Sequence, residues 1–104
     1  MNHITSAIKE IQSDLIEFAQ DLVKIKSYSG DEQNIIEFIK EKMIKLDYDE
    51  VVIDAMGNIV GRIGTGERII LFDSHVDTVK VNNVAEWTYP PFDGVIKDGR
   101  LHGR

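Results

Sequence analysis

The sequence predicts an α/β protein in which two helices pack on a mixed β-sheet, and three observations carry that reading. Apolar residues recur in steps of four and three from Ile4 to Ile25 and again from Ile36 to Leu46, the period of an amphipathic helix. After Tyr48 the period shortens into β-type runs, Val51–Ile53 and Ile59–Ile63, on either side of Gly57 and Asn58. A continuous apolar run, Ile69–Phe72, then ends in Asp73, Ser74, His75 and Asp77. Helix, helix and three strands in order make an α/β layer.

At 104 residues the chain is at most one domain, long enough to bury a core. A net charge of −6 argues against a nucleic-acid partner and against an anionic membrane surface. There is no cysteine, which excludes disulfides and thiolate metal sites and fits a cytoplasmic setting. The N-terminal stretch has no long apolar core, so neither a signal peptide nor a membrane span is expected.

The first helix, 4–25, carries Ile4, Ile8, Ile11, Leu15, Phe18, Leu22 and Ile25 on one stripe. That stripe suits packing on the chain's own sheet, and its strict spacing also suits an interaction helix that pairs with a partner. Ser29 to Glu32 reads as a capping box for the second helix, with Ser29 accepting from the Glu32 N–H and Glu32 reaching back. That helix is expected to bury Ile35, Ile36, Ile39, Met43 and Leu46. Gly57-Asn58 supplies the positive φ of a tight connection, so the runs on either side of it, Val51–Ile53 and Ile59–Ile63, pair as a hairpin. From Lys80 to Tyr89 the chain is a polar loop closed by Pro90 and Pro91, with Trp87 and Phe92 as aromatic anchors or as a substrate wall. A last hairpin turns at Asp98-Gly99.

Ile69–Phe72 reads as a strand buried on both faces, though a short buried helix has the same pattern. Strand alternation puts His75 and Asp77 on one face and Ser74 and Val76 on the other. A neutral histidine is the commonest metal ligand, and its second ring nitrogen needs an acceptor. Asp77 can orient His75 directly or act on the metal's field from nearby. The competing reading makes His75 a strand-end hydrogen-bonding group and Asp77 a turn cap; spacing alone leaves both open.

The longer string resembles a known family. Ser74-His75-Val76-Asp77-Thr78-Val79, followed by Trp87, Pro91-Phe92, Asp98-Gly99 and Leu101 to Arg104, looks like the first metal-site segment of the M20 metallopeptidases. That family includes aminoacylases, acetylornithine deacetylase, succinyl-diaminopimelate desuccinylase and carboxypeptidase G. Ser27 to Glu32 and Asp54 to Asn58 also resemble its N-terminal pattern, and the likeness is greatest to the hydrolases linked to selenium metabolism. Ser74 departs from the glycine common before the family's histidine.

The resemblance implies that residues 1–104 are the N-terminal, incomplete part of a zinc-peptidase-like catalytic domain, without the lid domain through which many relatives dimerise. It implies His75 as ligand of one of two metal ions, usually zinc, with cobalt or manganese as alternatives. It implies Asp77 as the family's first catalytic acidic residue, acting from behind the ligand rather than on the metal itself. A metal-activated water would cleave an amide or peptide bond in a small N-acylated amino acid or peptide. The bridging aspartate, general-base glutamate and remaining ligands belong to later segments of the pattern, so the chain alone is expected to be inactive. The full-length protein would form a homodimer. The alternative is a non-catalytic binding or assembly module whose interaction helix is 4–25.

Overall fold

The computed structural model describes residues 2–104, in the order helix, helix, hairpin, short 3-10 turn, hairpin. The chain divides into two compact units. One comprises the N-terminal segment up to Ile25 together with Val81–Arg104; the other is Lys26–Lys80. The α/β class expected from the sequence is the class of the structure.

In the first unit, helix α1 spans His3–Lys24 and starts at Asn2, whose side chain accepts from the Thr5 N–H at 2.8 Å. That bond satisfies one of the helix's orphan donors. Hairpin strands β1 (Glu50–Ile53) and β2 (Ile59–Arg62) belong to the other unit; in this one, β3 (Val95–Lys97) and β4 (Arg100–His102) pair antiparallel with Val95 opposite His102. Asp98 and Gly99 both have positive φ, 54° and 71°, as a two-residue hairpin turn requires. Gln20 Nε2 donates to the Gly94 carbonyl at 2.9 Å, and Gly103 packs so tightly against Val23 that a Cβ there would collide with its methyl. Only the second half of α1 is covered in this way. Ile4, Ile8, Ile11 and Leu15 remain 71%, 51%, 52% and 55% exposed, so the expected packing of the whole stripe on the chain's own sheet is not found.

In the second unit, α2 (Gln33–Lys45) lies on the hairpin of β1 (Glu50–Ile53) and β2 (Ile59–Arg62). Its Ile35 and Ile36 are the buried hydrophobic core, while Leu46, expected inside, is exposed. The helix ends in a Schellman arrangement. Tyr48 N–H bonds the Met43 carbonyl, Asp47 N–H bonds Ile44, and Asp47 takes the left-handed φ of 57°. Tyr48 and Met43 then meet over Gly61, where a Cβ would stand 2.6 Å from the tyrosine ring. The β1–β2 turn is built on Asp54, which accepts from the N–H groups of Met56 and Asn58, and on Gly57 at φ 88°.

Two expectations need correction here. The capping box does not form: Glu32 is the N-cap of α2 but makes no side-chain cap bond, and its carboxylate instead accepts from the Gly30 N–H at 3.0 Å. The Ser29 N–H that Glu32 would have reached is given instead to the Thr78 carbonyl, and the Ser29 hydroxyl is turned to a carboxylate elsewhere in the unit. Nor is there a single mixed sheet with Ile69–Phe72 as its central strand. The sheets are two separate antiparallel hairpins, and Ile69, Ile70, Leu71 and Phe72 are 87%, 82%, 80% and 91% exposed. A strand buried on both faces needs a ladder partner and a layer on each side, and the described residues supply neither to this run. The parallel pairing that does exist is one bridge, Tyr28 with Thr78.

Candidate functional site

The site grows from that bridge. Thr78 N–H donates to the Ser27 carbonyl at 2.8 Å, and Ser29 N–H donates to the Thr78 carbonyl at 3.3 Å. Ser27, 2% exposed, adds a bond from its hydroxyl to the Val76 carbonyl at 2.7 Å. These three bonds, with the Ser29–Asp77 bond described below, fasten 27–29 to 76–78. Ser27 is buried, while Ser29, two residues on, lies at the surface beside Asp77.

The two residues singled out from the sequence come together. His75 Nδ1 lies 3.2 Å from Asp77 Oδ1 and 3.0 Å from the Asp77 carbonyl oxygen. Both neighbours are acceptors only, so the ring's proton belongs on Nδ1 and the lone pair on Nε2. The side chain of His75 is 85% exposed, which opens that lone pair to solvent. Adjacency was expected from strand alternation; it is achieved instead by a hydrogen bond at the end of an unpaired segment.

Asp77's other oxygen, Oδ2, accepts from the Ser29 hydroxyl at 2.5 Å. That bond is the chief reason the Asp77 carboxyl sits below its ordinary pKa; slight desolvation opposes it and the His75 ring adds to the lowering. Sequence reasoning assigned Ser29 to helix capping and so missed it. The signal was present only as a serine in a turn, with nothing local to point 48 residues away. Thr78 Oγ1, under the bridge, is buried without a hydrogen-bond partner.

Trp87 and Phe92, the other candidates, belong to the first unit. Trp87 Nε1 donates to the Asn82 carbonyl at 3.2 Å, a bond within the loop itself. His102 packs its ring against Tyr89 at 4.6 Å.

A metal ion fits this donor set in one respect. An imidazole whose Nδ1–H is held by a carboxylate, with Nε2 exposed, is the form in which histidine ligates. Among the described residues, however, no three His, Cys, Asp or Glu side chains gather as a group that could hold an ion.

This is an α/β chain with a carboxylate-oriented imidazole at its surface, and comparison with known proteins narrows the field. Over 101 residues, 97% of the chain, it is 41% identical to a protein of Escherichia coli K12 called uncharacterized protein YgeY. Over 96 residues, 89% of the chain, it is 32% identical to the probable succinyl-diaminopimelate desuccinylase of Staphylococcus epidermidis and 30% identical to that of Staphylococcus aureus. The chain spans about a quarter of the length of these relatives, 25% of the first and 24% of the others. No family model and no solved structure matches it. No described helix is long and apolar enough to cross a membrane.

Proposed function

We propose that this chain is the N-terminal part of an M20-type, metal-dependent hydrolase that cleaves the amide or peptide bond of a small N-acylated amino acid or peptide. The observation that carries the reading is the His75–Asp77 pair, with Nδ1 facing only acceptors and Nε2 left to the solvent. The names of the staphylococcal relatives support an N-succinyl amino acid as the substrate class. His75 Nε2 is the ligand this chain contributes, and Asp77 holds the ring in the ligating tautomer. Zinc, or cobalt or manganese in its place, would polarise the scissile carbonyl and lower the pKa of a bound water.

A catalytic zinc site takes about three protein ligands and an open position. One is available here, so the 104 residues alone should not turn over substrate. The test uses the product of the complete reading frame and this chain side by side, each with zinc and N-succinyl amino acids. Hydrolysis by the longer protein that is abolished by chelator and by His75→Ala supports the reading. Turnover by the 104-residue chain, or activity in the longer protein indifferent to His75, would overturn it.

A second reading has an observation of its own. The exposed Ile4, Ile8, Ile11 and Leu15 form a two-heptad seam on α1, as an assembly module with an interaction helix would present. A stop codon directly after Arg104 together with self-association abolished by Ile8→Asp would favour it.

A further inference from the structure

We propose that Ser29 is a positioning residue for His75, acting through Asp77. The proposal deepens the reading above, in which His75 offers Nε2 as a ligand. Ser29 Oγ donates to Asp77 Oδ2 at 2.5 Å, and Asp77 Oδ1 accepts from His75 Nδ1 at 3.2 Å. Each direction is set by chemistry, since an ionised carboxylate can only accept. With both oxygens engaged, rotation of the carboxylate about its Cβ–Cγ bond is stopped, and Oδ1 is kept facing the ring. A carboxylate anchored on one oxygen alone would swing, leaving the Asp77 carbonyl at 3.0 Å as the ring's remaining acceptor and weakening the hold on the Nδ1–H tautomer.

Ser29 can do this because its backbone is fixed. Its own N–H is bonded to the Thr78 carbonyl, and two residues earlier buried Ser27 bonds both the Thr78 N–H and the Val76 carbonyl. The ladder therefore sets the distance between Ser29 and the residue it holds, as supporting residues around a ligating histidine commonly do. The competing explanation is that Ser29 only ties 27–29 to 76–78. That role would alter stability but leave the imidazole's proton where it is.

The test is the tautomer of His75, read by nitrogen-15 NMR of the whole 104-residue chain in mildly alkaline buffer, with His3 and His102 as internal references. The unsubstituted chain should hold His75 in the Nδ1–H form. Ser29→Ala should shift it several-fold toward Nε2–H, the form favoured by a free imidazole, while Ser29→Thr, which keeps the hydroxyl, should not. Because Ser29→Ala could unfold the bridge, the unsubstituted chain supplies a second readout. A Ser29 hydroxyl proton protected from exchange supports the proposal, and a freely exchanging one overturns it. An unchanged His75 tautomer in a folded Ser29→Ala chain overturns it too, as does an unsubstituted His75 that matches His3. If the tautomer responds as expected but His75 Nε2 proves dispensable for metal binding by the complete protein, Ser29 keeps its role and only the ligand assignment falls.

Discussion

His75 Nδ1 is 3.2 Å from Asp77 Oδ1, in a pair whose histidine is almost wholly in solvent and whose aspartate is partly covered. The asymmetry matters: the carboxylate is the fixed member and the imidazole is the presented one. If His75 ligates zinc in the complete protein as proposed, Asp77→Ala there should lower zinc affinity about 10–100-fold, the usual cost of losing a carboxylate behind a ligating histidine. Competition against a chromophoric chelator measures it, and an unchanged affinity would remove Asp77 from the site.

Acid should weaken the second unit through two aspartates. Asp77 is held below its ordinary pKa chiefly by the Ser29 hydroxyl, and Asp54 chiefly by the Asn58 side chain and then its backbone. A depressed folded-state pKa means that the unfolded chain binds the proton more readily. The stabilisation is present above the unfolded-state value and is lost as pH falls through the folded one. Urea unfolding followed below about pH 5 should show stability falling with acid, and Asp54→Asn should flatten that dependence. A slope unchanged by the substitution would contradict the assignment.

Gly61 of β2 lies directly under Met43 of α2 and Tyr48 just beyond its end. A Cβ there would stand 2.6 Å from Tyr48 Cδ2 and 2.8 Å from Met43 Sδ. Gly61→Ala should cost about 1–3 kcal/mol, the range for overpacking a filled site. Denaturant melts of the two chains settle the value, and Gly61→Ala with Tyr48→Leu should recover part of it if the ring is the obstacle.

Thr78 carries a hydroxyl buried under the parallel bridge with nothing to bond. Burying such a group costs about 1–3 kcal/mol relative to an apolar one. Thr78→Val keeps the branched shape and should raise the unfolding free energy, with the His75 tautomer unchanged. A loss of stability would mean that the hydroxyl has a partner in solution.

The run Ile69–Phe72 leaves four large apolar side chains in water. A contiguous patch of this kind binds hydrophobic dyes and promotes association. The 104-residue chain should enhance 8-anilinonaphthalene-sulfonate fluorescence, and Ile70→Lys with Phe72→Lys should reduce both dye binding and light scattering. No change in either would place the patch under cover.

Much of the architecture could be read from local pattern alone. Both helices, the hairpin turning at Gly57 and the hairpin turning at Asp98-Gly99 follow from apolar period and from positions that must take positive φ, and each appears within a few residues of its expected span. Such features need only neighbours in sequence. The proximity of His75 and Asp77 belongs with them, because a two-residue spacing keeps the pair within reach of one another whether or not the segment is a strand.

What tertiary structure alone decided has the opposite character. Whether Ile69–Phe72 becomes a buried strand depends on a ladder partner and two covering layers, and no property of those four residues can provide them. The apolar stripe of α1 is likewise continuous in sequence, yet it is covered only where Gly94 and Gly103 come against Gln20 and Val23. Ser29 was free to cap the helix beside it or to bond a carboxylate 48 positions away, and local pattern favoured the cap. The box was lost because the Thr78 carbonyl, far off in sequence, takes the Ser29 N–H that Glu32 would have bonded, while the hydroxyl gives its proton to the charged Asp77.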